Sequence, residues 1–249
     1  MPRKARVKSQ SGVYHVMLRG NNHQLIFIDK EDNNQFLALL DRFRKECGIS
    51  LYAWCLMPNH IHLLIKEKDV SLSDFFRKFT SGFVYWYNRK YDRIGHLFQD
   101  RFNSEPVENE LYFLKAARYI HMNPVKAHIC NHPGDFVFSS YAYYFNGTHY
   151  KKSDFVFGLM DIASFEKFHF EINDDRFLDI DEDEVTSISD DAVFVLLQSQ
   201  YGFSDFSLVP RVKQEMAIDL LLQSGASVNQ IRRLTNIDRS VIQSVAARK

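Results

Sequence analysis

The chain has 249 residues, of which 25% are charged, 45% hydrophobic and 14% aromatic, and its formal net charge at pH 7 is zero. This length suits one large domain, or a domain of about 150 residues with an appendage. Because the sequence contains no run of about 20 apolar residues, a transmembrane helix is excluded, and the basic N-terminus lacks the apolar segment of a signal peptide. The three cysteines, Cys47, Cys55 and Cys130, lack CxxC spacing, which predicts reduced thiols and a cytoplasmic location.

The zero net charge is a cancellation between two parts of the chain. Residues 1–150 carry 20 Lys and Arg against 14 Asp and Glu, whereas residues 151–249 carry 11 against 17. A basic first part with interleaved aromatic residues favours a polyanionic partner. The basic arm at its start, expected to be mobile and able to lie along phosphates, contains Arg3, Lys4, Arg6 and Lys8.

Hydrophobic periodicity divides the first part of the chain into strands of period 2 and helices of period 3.6. Gly48 and Pro124 are each expected to end a helix, because glycine favours the position after a helix and proline interrupts the helical bonding pattern. Pro58 and Asn59 join two strands through a tight turn, which predicts a hairpin. In chain order we predict a strand at 13–20, a helix at 33–46, strands at 49–57 and about 60–66, a helix from about 71 to 89, a strand with an extended lead-in at 95–107 and a helix from about 109 to 123.

This order of strands and helices is that of a split βαβ arrangement. We therefore predict an α+β fold, with a ferredoxin-like or RNA-recognition-like core built on an antiparallel sheet. One face of such a sheet carries helices, and the other can present side chains to a ligand. Tyr52, Trp54 and Trp86 are expected either to stack on nucleic-acid bases at this core or to pack in its interior.

A strand with two histidines is the strongest local feature of the sequence. Residues 56–66 read LMPNHIHLLIK and place His60 and His62 two positions apart in an apolar run. Because residues i and i+2 of a strand share a face, both imidazoles leave the sheet on one side. Two neutral imidazoles side by side form half of a metal site, and two hydrogen-bonded core histidines are the alternative. On the later helix, Tyr119 and Asn123 are four residues apart and share a helix face.

The second part of the chain is predicted to hold a linker and a helical domain. Residues 171–191 are strongly acidic and are interpreted as a solvated linker, with a nucleic-acid mimic that covers the basic site as the alternative. This places a first domain at residues 1–170, which includes an aromatic-rich segment wrapped on the core, and an all-helical domain at residues 192–249.

The last two helices are predicted to form a helix-turn-helix. Ser227 caps the first of them, and a short turn separates it from the second. Apolar residues at helical spacing would hold the pair together, and arginines would supply positive charge for DNA binding; a helical dimerisation or packing module is the alternative. The apolar positions are Val228, Ile231, Leu234, Ile237, Val241 and Val245, and the proposed DNA-binding arginines are Arg232, Arg233 and Arg239.

Four ordered motifs give the first part of the chain a family resemblance. The motifs YHVMLRGNN, MPNHIHLLI, GHLFQDRF and RYIHMNPVKA together resemble those of the HUH single-tyrosine transposases, and within them the REP-associated tyrosine transposases. The resemblance covers residues 13–129. It implies an HUH nuclease core with Tyr119 as nucleophile and with His60, His62 and Asn123 as metal ligands, while His121 is the alternative third ligand.

The same resemblance implies a function for the chain. It implies a metal-dependent endonuclease and strand transferase that acts on single-stranded DNA at REP-like hairpins through a covalent 5′-phosphotyrosine. The expected cofactor is Mg²⁺ or Mn²⁺, which would polarise the scissile phosphate. Arg19, Asn21 and Asn22 lie in the RGN motif and are expected to contact DNA beside the cleavage site, or else to form a turn that needs small polar residues.

Other functions remain open at the level of sequence. The chief alternative is a catalytically inert DNA-binding regulator that uses the same core and the same helix-turn-helix. An RNA-recognition domain fits less well, because the central strands lack the aromatic motif that such a domain needs. The expected partner is single-stranded or hairpin DNA and not a membrane, and the chain is expected to act as a monomer or a homodimer.

Overall fold

The computed structural model describes residues 6–21, 24–127, 129–145, 158–171, 209–223 and 226–247, with single positions at 156, 190, 193 and 197. Internal contacts divide the chain into two compact units, residues 1–126 with 130–179 and residues 127–129 with 180–249. Arg3, Lys4 and Asn22 lie outside the described residues, as does most of the predicted acidic linker. The limits of the predicted domains therefore stay a prediction.

The first unit alternates strands and helices as its hydrophobic pattern predicts. The helix after the first strand begins with a capping box, in which Asp29 caps the helix and Asp32 bonds back to the cap. Ser71 caps the second long helix. The elements are β1 Val13–Arg19, α1 Lys30–Glu46, β2 Ser50–Leu56, β3 His60–Lys66, α2 Leu72–Lys90, β4 Asn103–Pro106, α3 Glu110–Lys126, a 3-10 turn Pro133–Asp135, α4 Tyr141–Phe145 and α5 Ile162–His169.

The four strands form one sheet in the order β2-β3-β1-β4. Every neighbouring pair is antiparallel, so β1 and β2 run parallel with β3 between them. This is the split βαβ arrangement with an antiparallel sheet, which confirms the predicted α+β fold. The hairpin predicted at Pro58 and Asn59 is present, because β2 and β3 pair directly.

Strand register assigns side chains to two faces of the sheet. Met17 of β1 lies opposite His62 of β3, and Arg19 lies opposite His60. Since directly opposed residues of an antiparallel pair share a face, these four side chains lie on one face. The neighbouring residue Leu18 therefore lies on the other face.

Helices cover both faces, and each face has a different composition. The face that carries Leu18 holds the main hydrophobic core, to which α1 and α2 contribute aromatic side chains such as Phe36, Phe79 and Phe83. The other face carries His60 and His62, and α3 packs on it against β2 and β3. The fold thus separates an apolar core from a polar face that one helix covers.

One sequence prediction about an element end is wrong. Pro124 does not end α3, which continues to Lys126. Because the Pro124 nitrogen carries no hydrogen, α3 continues past it with one intrahelical hydrogen bond missing. Within the strand and extended lead-in predicted at residues 95–107, the strand is Asn103–Pro106, and Phe98 of the lead-in pairs with Gly20 in an isolated bridge.

Two of the three aromatic residues that were candidates for base stacking are buried. Tyr52 and Trp54 are 8% and 4% exposed, and Trp86 is half-buried against the main core. Base stacking by Tyr52 and Trp54 is therefore wrong, and core packing is the correct alternative. Burial of their large apolar area is favourable wherever a sheet face is covered by a helix.

The second unit is helical over its described residues, as predicted. Its helices are α6 Arg211–Gln223, α7 Val228–Thr235 and α8 Arg239–Ala246. Ser227 starts α7 with a capping box, and Asn236 ends it in the left-handed conformation. Ile231 and Ile242 are fully buried in a small core between these helices. Among the described residues of both units, every helix falls short of the length and apolarity that spanning a membrane requires.

Candidate active site

Two histidines of β3 form the centre of a buried polar cluster. His60 and His62 are 3% and 1% exposed, and both lie on the sheet face that α3 covers. The Nδ1 atom of His60 lies 2.6 Å from Asn59 Oδ1, and the Nδ1 atom of His62 lies 3.0 Å from His15 Nε2. A side chain therefore orients each imidazole through Nδ1, which is how metal-binding histidines are commonly fixed for ligation through Nε2.

Asn123 of α3 completes a set of ligand atoms with His60. Its amide Nδ2 donates to the carbonyl of Tyr119 at 3.2 Å, which turns Oδ1 towards His60. The distance between Asn123 Oδ1 and His60 Nε2 is 3.5 Å. Because His60 Nδ1 donates to the Asn59 oxygen, the neutral ring presents a lone pair at Nε2, and Asn123 Oδ1 presents another. Two lone pairs that face each other are suited to a cation.

The histidines of this cluster are neutral at physiological pH. Burial lowers the pKa of His60 to about 4, with the Asn123 contact opposing that effect and Arg19 adding to it. Burial also holds the pKa of His62 well below its ordinary value, and lowers that of His15 to about 3. Neutral imidazoles keep the lone pairs that a metal ion needs.

Among the described residues, no cluster of three His, Cys, Asp or Glu side chains is arranged to hold a metal ion. The predicted ligand set consists of two imidazoles and an amide oxygen, of which His60 Nε2 and Asn123 Oδ1 lie 3.5 Å apart. Such a mixed nitrogen and oxygen set suits Mn²⁺ and also accepts Mg²⁺. The residues fit a divalent ion, and their role as ligands stays a prediction.

Tyr119 lies beside the histidines. Its ring centroid is 5.5 Å from that of His62 and 5.6 Å from that of His15, with the rings edge to face. The side chain is 5% exposed. The structure thus brings together Tyr119, Asn123 and both histidines, although they come from α3 and β3.

Two further residues of this cluster were not predicted from the sequence. His15 contacts His62, and the Lys126 Nζ atom lies 4.5 Å from the centroid of the Tyr119 ring. Lys126 is exposed and brings positive charge near the site. Lys126 could have been found from its spacing in the sequence, because it follows Tyr119 by seven residues and therefore lies on the same face of the helix as Tyr119. His15 could be found only from the register between β1 and β3.

His121, the alternative third ligand, belongs to a different network. Its Nδ1 lies 2.9 Å from His169 Nε2, and its Nε2 lies 2.8 Å from Ser140 Oγ. His169 Nδ1 in turn donates to the carbonyl of Phe165 at 2.7 Å. Because a carbonyl can only accept, His169 Nδ1 carries a proton. Burial lowers the pKa of both histidines, which favours their neutral forms. His121 therefore has both nitrogens engaged away from His60.

This network predicts a loss of stability in acid. Burial lowers the pKa of His169 to about 4, whereas an unfolded histidine has a pKa of about 6.5. As the pH falls from about 6.5 towards 4, the unfolded chain binds a proton that the folded chain does not, so stability is full above this range and decreases within it. We expect His169 to account for a loss of about 2 kcal/mol between pH 7 and pH 5.

Urea unfolding at both pH values measures this effect. Between pH 7 and pH 5, the free energy of unfolding should fall by about 2 kcal/mol less in His169→Gln than in wild type, since the variant lacks the buried titrating group. His132→Gln, at an exposed histidine, is the matched control, and its free energy of unfolding should change between the two pH values as that of wild type does. If the free energy of unfolding falls as much in His169→Gln as in wild type, His169 is not the group that causes the loss of stability in acid.

The RGN motif lies at the edge of the sheet face that carries His60 and His62. Arg19 is opposite His60 and close enough to affect its pKa. The Gly20 N–H donates to the Asn59 carbonyl at 2.8 Å, and the Asn21 N–H donates to the Leu97 carbonyl at 2.8 Å. A Cβ on Gly20 would lie 2.1 Å from the Gln24 carbonyl oxygen, so this position needs glycine. Arg19 thus lies at the site, and the roles of Arg19 and Asn21 in DNA binding stay predictions.

The arginines predicted to bind DNA in the C-terminal region lie in the second unit. Arg232 and Arg239 are exposed on α7 and α8. Arg233 forms an ion pair with Asp190, with Nη1 and Oδ2 2.6 Å apart. Arg233 is therefore paired with a carboxylate, and Arg232 lies close enough to Asp238 to help lower the pKa of that carboxylate.

Comparison with known proteins shows what the first unit is similar to. Residues 8–123, somewhat less than half of the chain, match the model of the IS200-like transposases. This segment of the chain is therefore similar to the IS200-like transposases. No curated protein sequence matches this chain. The matched region ends at Asn123, so it contains both histidines, the tyrosine and the amide of the site.

Two solved structures are similar to this chain. A REP-associated tyrosine transposase bound to a REP hairpin matches with a TM-score of 0.54 and 18% identity, over 72% of this chain and 96% of that chain. A candidate transposase from Deinococcus radiodurans R1 matches with a TM-score of 0.33 and 18% identity, over 48% of this chain and 95% of that chain. The first match shows that the fold is shared.

Proposed function

We propose that this chain cleaves and rejoins single-stranded DNA at REP-like hairpins, with Tyr119 as nucleophile. The observation that carries the proposal is the position of Tyr119, whose ring packs against His62 while Asn123, one turn further along α3, faces His60. Metal-assisted phosphoryl transfer needs a nucleophile and the ligands of the metal ion on the same surface. The DNA hairpin bound to the structurally similar REP-associated transposase supports the choice of substrate.

Each residue has a distinct part in the proposed reaction. The Tyr119 oxygen attacks phosphorus, the bond to the 3′ oxygen breaks, and the products are a 5′-phosphotyrosine and a free 3′-hydroxyl. Because one phosphodiester replaces another, the reverse attack by a 3′-hydroxyl rejoins the strand without ATP. Lys126, next to the Tyr119 ring, provides positive charge beside the phosphate that reacts.

His60, His62 and Asn123 would hold the divalent ion. A bound Mg²⁺ or Mn²⁺ would supply electrophilic polarisation of the scissile phosphate and neutralise its developing charge. The contacts from Asn59 and His15 orient the two imidazoles before the ion binds.

A covalent adduct tests the proposed function directly. The protein is incubated with an end-labelled REP-like hairpin that carries single-stranded flanks, in the presence of Mn²⁺ or Mg²⁺, and resolved on a denaturing gel. We expect a labelled band that survives denaturation and is removed by protease. If wild-type protein forms no adduct across varied hairpins and flanks, the proposed function fails.

One observation favours the alternative of an inert DNA-binding regulator. Tyr119, His60 and His62 are each at most 5% exposed, so the site must open before DNA reaches it. A regulator needs no such opening. DNA binding without an adduct in the same assay would favour the regulator.

His15 is predicted to set the strength of metal binding, because it orients His62 through a hydrogen bond of 3.0 Å. Loss of an orienting partner typically weakens metal binding by about 10–100-fold. We expect His15→Phe to weaken Mn²⁺ binding by that factor, measured by calorimetry, and to raise the Mn²⁺ concentration needed for adduct formation. His15→Gln keeps a hydrogen-bonding group and should be less affected. Equal Mn²⁺ affinity in wild type and His15→Phe would contradict this role.

We also propose that α7 and α8 form a helix-turn-helix that binds DNA. A capped helix pair with a short turn supports this, and the exposed residues of α8 include Arg239, Ser240, Gln243 and Ser244.

Arg239→Ala should weaken DNA binding and lower the slope of log affinity against log salt by about 1, because one phosphate contact is lost. Arg211→Ala, at an exposed residue paired with Glu215, should leave the slope unchanged. The same slope in Arg239→Ala as in wild type would count against the proposed contact.

A further inference from the structure

A second concave surface lies on the other side of the sheet from the histidines. It has a volume of about 860 Å³ and is bounded by α2 and by residues 96–102, which lead into β4. Leu18 contributes to its floor, and this residue is on the sheet face opposite His60 and His62. We call this surface the α2 cleft. Its volume lies within the range of about 300–1,000 Å³ that is usual for ligand sites.

The floor of the α2 cleft is aromatic, and one exposed ring stands at its margin. Phe76, Phe98 and Phe102 line the floor. Tyr85, on α2, is 71% exposed, more than any other aromatic residue that the structure describes. An exposed ring next to an apolar cleft is suited to stacking on a planar ligand such as a nucleobase.

Two arginines, Arg6 and Arg101, line the α2 cleft. Arg6 stacks on the Phe102 ring at 3.7 Å and donates to Ser73 Oγ at 3.1 Å and to the Phe102 carbonyl at 3.0 Å. These contacts show that this residue of the basic arm is held in place. Burial and the nearby charge of Arg101 lower the pKa of Arg6. Two like charges held close together favour an anion between them.

Arginines outnumber the acidic residues that line the α2 cleft. Its arginines are Arg6, Arg77 and Arg101, and its carboxylates are Asp74 and Asp100. Asp74 pairs with Arg77 at 2.8 Å and accepts a hydrogen bond from Ser71, the residue that caps α2. The rim therefore offers positive charge to a phosphate backbone.

The α2 cleft is connected to the histidine-bearing face of the sheet through the RGN motif. The Gln99 N–H donates to the Arg19 carbonyl at 2.9 Å, and Phe98 pairs with Gly20 in an isolated bridge. Gly20 also bonds to Asn59, the residue before β3. A strand of DNA that reaches the RGN motif from the histidine-bearing face therefore arrives at one edge of the cleft.

We propose that the α2 cleft binds a single-stranded segment of the DNA substrate, with a base stacked on Tyr85 and phosphates held by Arg6 and Arg101. The proposal rests on the proposed function, from which it takes DNA as the ligand. An aromatic platform combined with a cationic rim is the combination by which proteins bind single strands without reading their sequence. The cleft would hold the strand that flanks the hairpin while the cleavage position occupies the other face of the sheet.

Photocrosslinking locates the DNA. Hairpin oligonucleotides with 5-iododeoxyuridine at single positions of their flanks are bound to the full-length protein without metal, irradiated, and mapped by mass spectrometry. We expect Tyr85 to crosslink at one short run of flank positions. Tyr85→Ala should weaken flank binding by about 5- to 100-fold, the effect of removing one stacked base, and Tyr85→Phe should keep wild-type affinity.

Controls separate this proposal from the proposed function. Tyr143→Ala, at an exposed tyrosine that does not line the cleft, should keep wild-type affinity, and Arg101→Gln should weaken binding most at low salt. If wild type forms the Tyr119 adduct while Tyr85 neither crosslinks nor affects affinity, the cleft proposal is overturned and the cleft is assigned to a protein partner. If Tyr85 crosslinks and affects affinity but no adduct forms, the cleft proposal holds and the proposed function fails.

Discussion

Tyr119→Phe is expected to abolish the covalent DNA adduct while DNA affinity stays at the wild-type level. The phenolic oxygen is the atom that forms the bond to phosphorus, and a phenylalanine ring has no atom that can replace it. The ring itself packs against His62 and His15, and phenylalanine preserves that packing. The measurement is the denaturing gel with labelled hairpin, together with a binding titration of the same DNA.

A matched variant on the same helix makes this result specific. Tyr112→Phe carries the same chemical change at a half-buried tyrosine of α3, seven residues before Tyr119, and should form the adduct at the wild-type rate. An adduct that persists in Tyr119→Phe would assign the nucleophile to another residue. Mass spectrometry of the wild-type adduct after protease digestion then identifies the residue that carries the nucleotide.

His60→Ala is expected to lower the rate of adduct formation by about 10²–10⁴-fold at a fixed Mn²⁺ concentration. Electrophilic assistance by a metal ion is worth several kcal/mol of barrier, and each 1.36 kcal/mol changes the rate tenfold. The variant removes the imidazole that faces Asn123 Oδ1 at 3.5 Å, so the ion loses one of the proposed ligands. Single-turnover kinetics measure the rate, and calorimetry should show weaker Mn²⁺ binding by the same variant.

The control for this variant is a histidine outside the site. His132→Ala, at an exposed position whose side chain accepts from the Gly134 N–H, should leave both Mn²⁺ binding and the rate unchanged. If His60→Ala forms the adduct at the wild-type rate, the imidazole has no part in the reaction. Unchanged Mn²⁺ affinity with a reduced rate would instead indicate that His60 acts on the DNA and not on the ion.

Much of the fold and part of the candidate site could be predicted from local patterns. The HIH spacing placed His60 and His62 on one face of a strand because side chains alternate along a strand. The spacing of Tyr119 and Asn123 placed them on one helix face for the corresponding helical reason. Pro124 was misread, because the sequence does not show that α3 continues past this residue with one intrahelical hydrogen bond missing.

Other features depend on contacts between segments that are distant in the chain. His15 reaches His62 only through the pairing of β1 with β3, and the burial of Tyr52 and Trp54 depends on which helix covers their face. The same holds for the ion pair of Arg233 with Asp190, which neutralises an arginine expected to bind DNA. Neither register nor ion pairing across 43 residues is encoded in a local pattern.

The sequence by itself determined the α+β class, the order of elements, the histidine pair and the helical C-terminal region, because each follows from periodicity or spacing within about 20 residues. The tertiary structure alone decided that the histidines and the tyrosine helix share one face of the sheet, and that Tyr85, not the buried aromatics, is exposed beside a cationic cleft. These are properties of packing between distant segments, where burial and charge depend on which surfaces meet and no single segment specifies them.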